Sequence, residues 1–235
     1  MRLSKFVSLV FLIIALAAFS AHAALLGPSA YITSADSPFF PFGGFTYFHL
    51  ENFDDHLLNT PGVSVTAGTF SAANSGFSGS IIDQVGLNGG CPAGGLSVAC
   101  DTWFGSGQTG LTFTFNAGAL GQLPNAAGLV WTDGAGTITF EAFDQNGNSL
   151  GTLTGNHADG SFFGTIADDR FYGATNSGGI SKIFISNSSG GIEVDDLQYG
   201  CRDCGGPVAT PEPSTLLLML SGLAGFGAMK RKLRQ

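Results

Sequence analysis

The chain has 235 residues, of which 36 are glycine, 21 are phenylalanine and only 11% are charged. Long solvated helices carry many Glu, Lys and Arg side chains, so this composition excludes a mainly helical protein and favours an all-β protein rich in turns. Residues 24–210 hold sixteen acidic and three basic side chains, a formal charge of −13. This field disfavours DNA, RNA and anionic lipid as partners, and it is compatible with divalent cations or neutral glycans.

The first 23 residues have the organisation of a secretory signal peptide. Arg2 and Lys5 precede an apolar run over residues 6–19, and an Ala-His-Ala sequence follows at 21–23. We predict a helical signal peptide over residues 1–23, recognised by the Sec translocon and cleaved at its end by signal peptidase. The apolar run is shorter than the roughly 20 residues that span a bilayer, which favours cleavage over an uncleaved anchor.

The body of the chain is predicted to consist of short strands separated by turn residues. Residues 24–44 are too rich in Pro and Gly to propagate a helix. Apolar and polar residues alternate in segments such as 111–115, which indicates strands with one buried and one solvated face. Asn146 and Gly147 predict a hairpin turn. Predicted strands cover residues 46–53, 63–70, 111–115, 129–131, 137–143, 149–153, 162–166, 180–186 and 192–199. Their number and spacing predict a single β-sandwich of the jelly-roll type as the ectodomain, over residues 24–204.

Four cysteines in an exported chain predict disulfides, because the compartments outside the cytoplasm are oxidising. Cys91 and Cys100 bracket a loop-like segment that a local bridge would close. Cys201 and Cys204 form a C-x-x-C sequence after the last predicted strand, where a bridge would fasten the end of the domain. Cross-pairing between the two sets stays open. Zinc is disfavoured, because the sequence has no second C-x-x-C and no His pair at zinc-finger spacing.

Acidic residues near both ends of the body form a candidate cation site. Glu193, Asp195 and Asp196 interrupt an otherwise apolar strand, and crowded carboxylates attract Ca²⁺, which takes six to eight oxygen ligands. Segments within residues 46–200 resemble jelly-roll carbohydrate-binding modules and galactose-binding-like domains. That resemblance implies a structural Ca²⁺ where an N-terminal acid meets a C-terminal Asp, and Glu51 and Asp195 match this pattern, with Asp196 as a weaker candidate. The alternative is that these acids cap turns or face solvent.

The remaining candidates point to binding more than to catalysis. Trp103 lies in a loop-like stretch where it could stack on a sugar ring, whereas Trp131 lies in an apolar strand and is predicted to be core. The acid and amides at residues 144, 146 and 148 resemble a Ca²⁺ loop, but the twelfth position is Gly155, which favours a plain turn. The sequence has no nucleophile elbow and no phosphate-binding loop.

The C-terminal end carries three ordered features. A linker at 205–214 contains Pro211, Glu212 and Pro213, and residues 215–235 combine a short apolar helix, predicted to be transmembrane, with a basic end. This arrangement resembles the PEP-CTERM sorting signal of Gram-negative bacteria. The resemblance implies processing by exosortase, and it implies a membrane-anchored precursor that passes to the cell surface or extracellular matrix. A plain C-terminal membrane anchor is the alternative.

These features together predict a non-enzymatic exported protein of the surface or extracellular matrix, associated with extracellular polysaccharide or biofilm. Two other functions stay open, a secreted glycan-active hydrolase and a structural surface protein without a ligand. The absence of a recognisable nucleophile or metal-ligand motif favours the non-enzymatic alternatives.

Overall fold

The computed structural model describes residues 23–53, 55, 57–71, 102–160 and 167–204. The predicted signal peptide up to residue 22, Cys91 and Cys100, the predicted strand 162–166 and the sorting motif lie outside the described residues. The described strands all belong to a compact unit that ends at Arg202.

The described part of the chain consists almost entirely of antiparallel β-structure, with very little helix. Its ten strands are β1 (Ala24–Ala30), β2 (Phe45–Glu51), β3 (Val63–Val65), β4 (Thr69–Ser71), β5 (Thr102–Ser106), β6 (Leu111–Phe115), β7 (Ala126–Asp144), β8 (Ser149–Gly155), β9 (Arg170–Thr175) and β10 (Ile180–Arg202). A short 3₁₀ turn covers Ser34–Asp36, and one helical turn, α1, covers Ala117–Leu120. The all-β prediction is confirmed.

The long strands β7 and β10 pair with each other over most of their lengths and contribute to both layers of the fold. The first layer contains residues 135–144 of β7 and 180–189 of β10, joined by β8, β6 and β3. The second layer contains residues 126–133 of β7 and 191–202 of β10, joined by β9, β1, β2, β5 and β4.

The two layers enclose a shared hydrophobic core, as in a β-sandwich. Phe140 of the first layer stacks on Tyr172 of the second at 6.0 Å between ring centroids. The rings of Phe115 and Tyr199 also meet across the core, tilted against each other at 4.9 Å between centroids. Trp131, predicted to be core, is fully buried between them. The predicted β-sandwich is confirmed.

A second core lies on the outer face of the second layer. The chain between β1 and β2 folds over this face, where Tyr31 stacks on Phe171 at 6.2 Å and Phe39 meets the same ring edge-on at 5.4 Å. Both faces of the second layer are therefore buried at its centre, in β7, β9 and β10. As a result, burial is continuous over residues 126–132 and 192–201, whereas buried and more exposed positions alternate along β6.

Several predicted strand boundaries are wrong. Segments 129–131 and 137–143 form one strand, as do 180–186 and 192–199, because glycines bend the strands without ending the ladder. Gly134 and Gly190, for example, have φ angles of 151° and 73°. Conversely, the predicted strand 63–70 is two strands, β3 and β4. The strands β1, β5 and β9 were not predicted, because their sequences are rich in Gly or too short to show alternation.

Candidate functional site

The bend of β7 and β10, where the chain passes from one layer to the other, encloses a small pocket. Its volume is about 100 Å³. The lining residues come from β5, β7 and β10, and they are Phe104, Asp133, Gly134, Ala135, Gly190, Gly191 and Glu193. We call this cavity the carboxyl pocket, since Asp133 and Glu193 are the ionisable groups of its lining.

Glycine makes the pocket, because larger residues would fill it. A Cβ on Gly191 would lie 2.6 Å from the Phe104 ring, and a Cβ on Gly134 would lie 2.8 Å from the carbonyl oxygen of Gly191. The two N–H groups of the Asn187 side chain fix the bend, since three backbone carbonyls lie within hydrogen-bond distance of the amide nitrogen, those of Ala135, Ser189 and Gly191. The pocket is therefore preformed by the backbone of two strands.

Asp133 and Glu193 are placed side by side by strand pairing. Glu193 lies directly opposite Asp133 in the antiparallel register of β10 and β7, and residues at opposite positions share a face of the sheet. Glu193 is buried, with 5% of its surface exposed. The pocket thus brings two carboxyl groups together next to the Phe104 ring.

Burial pushes the pKa values of both carboxyls upward, to different extents. Desolvation, together with the Asp133 charge, raises the pKa of Glu193 to about 8. Desolvation also raises the pKa of Asp133 to about 6, partly offset by the hydrogen bond that it accepts from the Gly134 N–H. At pH 7 Glu193 is mostly protonated and Asp133 is mostly ionised, so the pair holds one proton donor beside one acceptor.

Further acidic residues raise the negative potential around Asp133. The charges of Asp168 and Asp159 add to the rise in its pKa. Asp169, which precedes β9, is 1% exposed, and neither of its carboxylate oxygens has a hydrogen-bond partner among the described residues. Desolvation and the Asp168 charge raise the pKa of Asp169 to about 8, so this carboxyl is mostly neutral at pH 7.

The pocket has the chemistry of a site for small hydroxylated groups. A hydroxyl both donates and accepts a hydrogen bond, and the Glu193–Asp133 pair offers one partner of each kind. Largely apolar concavities with a few convergent polar groups are typical ligand sites. A carboxylic acid beside a carboxylate is also the pair that general acid–base catalysis requires.

The predicted calcium ligands lie on adjoining strands, as the prediction requires. Glu51 is paired with Leu197, two residues beyond Asp195. Its carboxylate accepts backbone N–H groups from Phe53, Asn59 and Thr60. No group of three or more His, Cys, Asp or Glu side chains within the described ranges is arranged to hold a metal ion.

The two Asp residues of the calcium prediction are buried and engaged in hydrogen bonds. Asp196 has a φ of 43° and accepts the Tyr31 hydroxyl at 2.6 Å, while Asp195 accepts the Asp196 N–H at 2.7 Å. Gln198 donates to the Tyr31 hydroxyl at 2.8 Å and extends this network. Calcium binding at Glu51, Asp195 and Asp196 stays a prediction, and an ion there would have to displace some of these partners.

Trp103 lies on a strand, not in the predicted loop. It belongs to β5, it is half-buried against Phe53 at 5.7 Å, and its indole N–H donates to the Ala67 carbonyl at 2.9 Å. Stacking of Trp103 on a sugar stays a prediction. The N–H edge of the indole is already hydrogen-bonded to Ala67.

Cys201 and Cys204 are both disulfide-bonded. This agrees with an oxidising compartment. The bridge between Cys91 and Cys100 stays a prediction, because both residues lie outside the described ranges.

Asp133 is the residue of the carboxyl pocket that the sequence analysis did not single out. It sits in the Thr-Asp-Gly sequence at 132–134, directly after a run of apolar residues. A carboxylate that interrupts an apolar run is the same signal that singled out Glu193. The pairing of the two could not be predicted, because it depends on the register of strands about sixty residues apart.

Comparison with known proteins identifies the C-terminal end. Residues 209–232 match the PEP-CTERM protein-sorting motif, which implies an exported, membrane-anchored precursor and processing by exosortase. This agrees with the family suggested by Pro211, Glu212 and Pro213. No curated protein matches the chain. Among the residues with a described structure, no helix is long and apolar enough to cross a membrane.

Solved structures resemble the body at low similarity. A family 22 carbohydrate-binding module of Clostridium thermocellum Xyn10B has 10% identity and a TM-score of 0.33, over 70% of this chain and 97% of its own. A xylan-binding domain from the same module family has 12% identity and a TM-score of 0.29, over 69% and 97% of the two chains. A tailspike protein of bacteriophage CBA120 has 14% identity and a TM-score of 0.29, over 64% of this chain and 20% of its own. Scores at this level carry no argument about ligand or activity.

Proposed function

We propose that the chain is a non-enzymatic exported surface protein whose β-sandwich binds neutral extracellular polysaccharide in the carboxyl pocket. The sorting motif supports the location, and the full route comprises export by the Sec translocon, removal of the signal peptide by signal peptidase and processing of the tail by exosortase. The destination is the cell surface or the extracellular matrix, including biofilm, of a Gram-negative bacterium.

The pair of carboxyls at Asp133 and Glu193 carries the proposal for the ligand. At neutral pH one group donates and the other accepts, beside the apolar face of Phe104, which suits a sugar hydroxyl and its neighbouring C–H groups. The formal charge of −13 over residues 24–210 repels polyanions, so the polysaccharide is neutral.

Glycan binding by the mature chain, beginning at Ala24, tests the proposal. The chain is screened in detergent on a glycan array and the affinity for hits is measured by calorimetry. Glu193→Leu removes the donor from the pocket, and we expect at least a tenfold loss of affinity, equivalent to about 1.4 kcal/mol. Glu141→Leu, on the same strand as Asp133 but outside the pocket, serves as the matched control and should bind like the unchanged chain.

Two outcomes would contradict the proposal. Equal affinity of Glu193→Leu and the unchanged chain would show that sugar binds elsewhere. An unchanged chain that binds no glycan would favour a structural surface protein without a ligand.

A glycan-active hydrolase is the second candidate, and the same carboxyl pair favours it. Two carboxyls with pKa values of about 6 and about 8 have the protonation states of a base and an acid at neutral pH. A hydrolase would release sugar at a rate that peaks between these two values and is lost in Asp133→Asn. Binding without release of sugar supports the non-enzymatic function.

A further inference from the structure

An aromatic patch covers the corner of the sandwich where β2 begins. It consists of Phe39, Phe40, Phe42, Phe45 and Phe48, and we call it the phenylalanine patch. The Phe42 and Phe48 rings stack at 4.4 Å between centroids, and Phe40 meets Phe42 edge-on at 5.5 Å. Phe39 is buried at the base of the patch, whereas Phe40 is 53% exposed. Phe42, Phe45 and Phe48 are half-buried, so the patch is a contiguous apolar surface that is partly open to solvent, and such surfaces mark interaction sites.

The patch is held rigidly against β10. The Ser37 hydroxyl donates to the Gln198 side chain at 2.5 Å, and the Phe39 N–H donates to Ser37. The Arg202 guanidinium lies 4.6 Å from the centre of the Phe45 ring and donates to the Phe39 carbonyl at 3.3 Å. Phe40 is therefore presented to solvent by a fixed loop, and little conformational entropy remains to be lost when it is covered.

The patch is free of the negative charge that dominates the body. Residues 37–48 contain no charged side chain, although the region 24–210 carries a formal charge of −13. At Gly43 and Gly44 an added Cβ would meet nothing within 4 Å, so the loop ends in bare backbone at the surface. A flat surface with little net charge can therefore approach the phenylalanine patch without electrostatic repulsion.

The chain leaves the sandwich beside this patch. Arg202, which packs on Phe45, is followed by two described residues, and eleven residues then separate Cys204 from the apolar segment 216–229. Eleven residues span at most about 40 Å when fully extended. In the anchored precursor this tether keeps the patch at a high effective concentration near the bilayer.

We propose that the phenylalanine patch docks on the headgroup region of the membrane that holds the tail of the same chain, with Phe40 inserted among zwitterionic phospholipids. The proposal rests on the anchored precursor of the proposed function. Phe side chains on the apolar side of membrane-surface segments are buried at the boundary between headgroups and acyl chains, where the ring leaves water. One shallow aromatic loop does not hold a protein on a membrane by itself, so removal of the tail releases the body.

Fluorescence quenching by the lipid tests the docking. The mature full chain carrying Phe40→Trp is reconstituted into phosphatidylcholine vesicles with or without brominated acyl chains. The matched control is Leu57→Trp, since Leu57 is 55% exposed and lies beyond the other end of β2. Trp103 and Trp131 contribute the same background to both variants. We expect brominated lipid to reduce the added fluorescence of Phe40→Trp at least twofold and to leave that of Leu57→Trp unchanged.

The other outcomes overturn the docking in distinguishable ways. Equal quenching of both variants, or quenching of neither, in chains that float with the vesicles overturns the docking alone and leaves the anchored precursor intact. A chain that does not float with the vesicles overturns the docking and the membrane anchor together. A Phe40→Trp spectrum that responds to soluble neutral glycan and not to lipid assigns the patch to sugar.

Discussion

The two layers of the sandwich differ in how many of their faces are buried. The first layer has one buried face, and its strands alternate between buried and more exposed residues, as β6 does. The centre of the second layer, in β7, β9 and β10, is buried on both faces, so polar groups there are enclosed within the protein. Asp144, at the edge of the first layer, accepts hydrogen bonds from Asn148 that lower its pKa, whereas burial raises the pKa of Glu193 in the second layer. The comparison teaches that carboxyl pKa values rise where the sheet is covered on both faces.

The pH dependence of stability tests this difference between the two layers most directly. The pKa of Glu193 rises from 4.5 to about 8 on folding, a difference equivalent to at most roughly 5 kcal/mol. A raised carboxyl pKa means that the folded state binds protons that the unfolded chain has released. The stability that the folded state gains from the proton on Glu193 is therefore complete below about pH 4. It is lost as the pH rises through about 8. Urea denaturation at pH 5 and pH 8.5 should show lower stability at the higher pH.

Matched variants locate that pH dependence in the second layer. Glu193→Gln should make the profile less steep, because the amide does not titrate, and the remaining slope should come from Asp133 and Asp169, whose pKa values burial also raises. Glu141→Gln, in the first layer, should leave the profile unchanged. A Glu193→Gln profile as steep as that of the unchanged chain would show that the buried carboxyl does not couple folding to pH.

The outer core of the second layer can be tested by removing an aromatic side chain from each core. Phe140 lies between the layers and Phe171 lies under the chain between β1 and β2, and both are fully buried. We expect Phe140→Ala and Phe171→Ala to lower the free energy of unfolding by about 3–5 kcal/mol each. Ile32→Ala, at a position that is 41% exposed, is the control and should cost far less. If Phe171→Ala lowers the free energy of unfolding by no more than Ile32→Ala does, the outer core contributes little to stability.

The buried polar network of the second layer should be sensitive to the loss of a single hydroxyl. Tyr31→Phe removes the donor to Asp196 and the acceptor for Gln198, and it leaves both groups buried. We expect a loss of about 1–3 kcal/mol in the free energy of unfolding, measured by urea denaturation. Tyr47→Phe removes one hydrogen bond to the Gln122 carbonyl at a more exposed site, so its cost should be smaller. Equal losses of unfolding free energy in Tyr31→Phe and Tyr47→Phe would show that burial does not make the hydrogen bonds of this network more stabilising.

The smallest effect is expected at the hairpin of the first layer. Gly147 has a φ of 80° and open space around it, so only backbone strain opposes a side chain there. Gly147→Ala should cost about 1 kcal/mol, and Gly147→Asn should cost less because Asn tolerates the left-handed conformation. Thermal denaturation of the two variants checks this order, and the reverse order would contradict the role of backbone strain.

The same contrast explains what could be predicted from the sequence. Alternation in segments such as 111–115 predicted the first layer, and the turn after Asp144 forms as expected, with its carboxylate accepting the N–H groups of Asn146 and Asn148. Strands covered on both faces lose alternation, so the true extent of β7 and β10 was hidden. The candidate site depends on register between those strands, and local patterns do not encode register. Glu193 was therefore noticed, and its partner Asp133 was not.

The length of β10 has a consequence for when the body can fold. The strands β2, β5, β6 and β7 all pair with β10, which is the last strand of the sandwich in chain order. Neither layer can form its complete ladder until residues 180–202 are present, and contacts between residues so distant in sequence make folding slow. For an exported chain this order postpones closure of the core until the C-terminal strand has crossed the membrane. The strand that joins the two layers therefore also sets the earliest point at which the core can close.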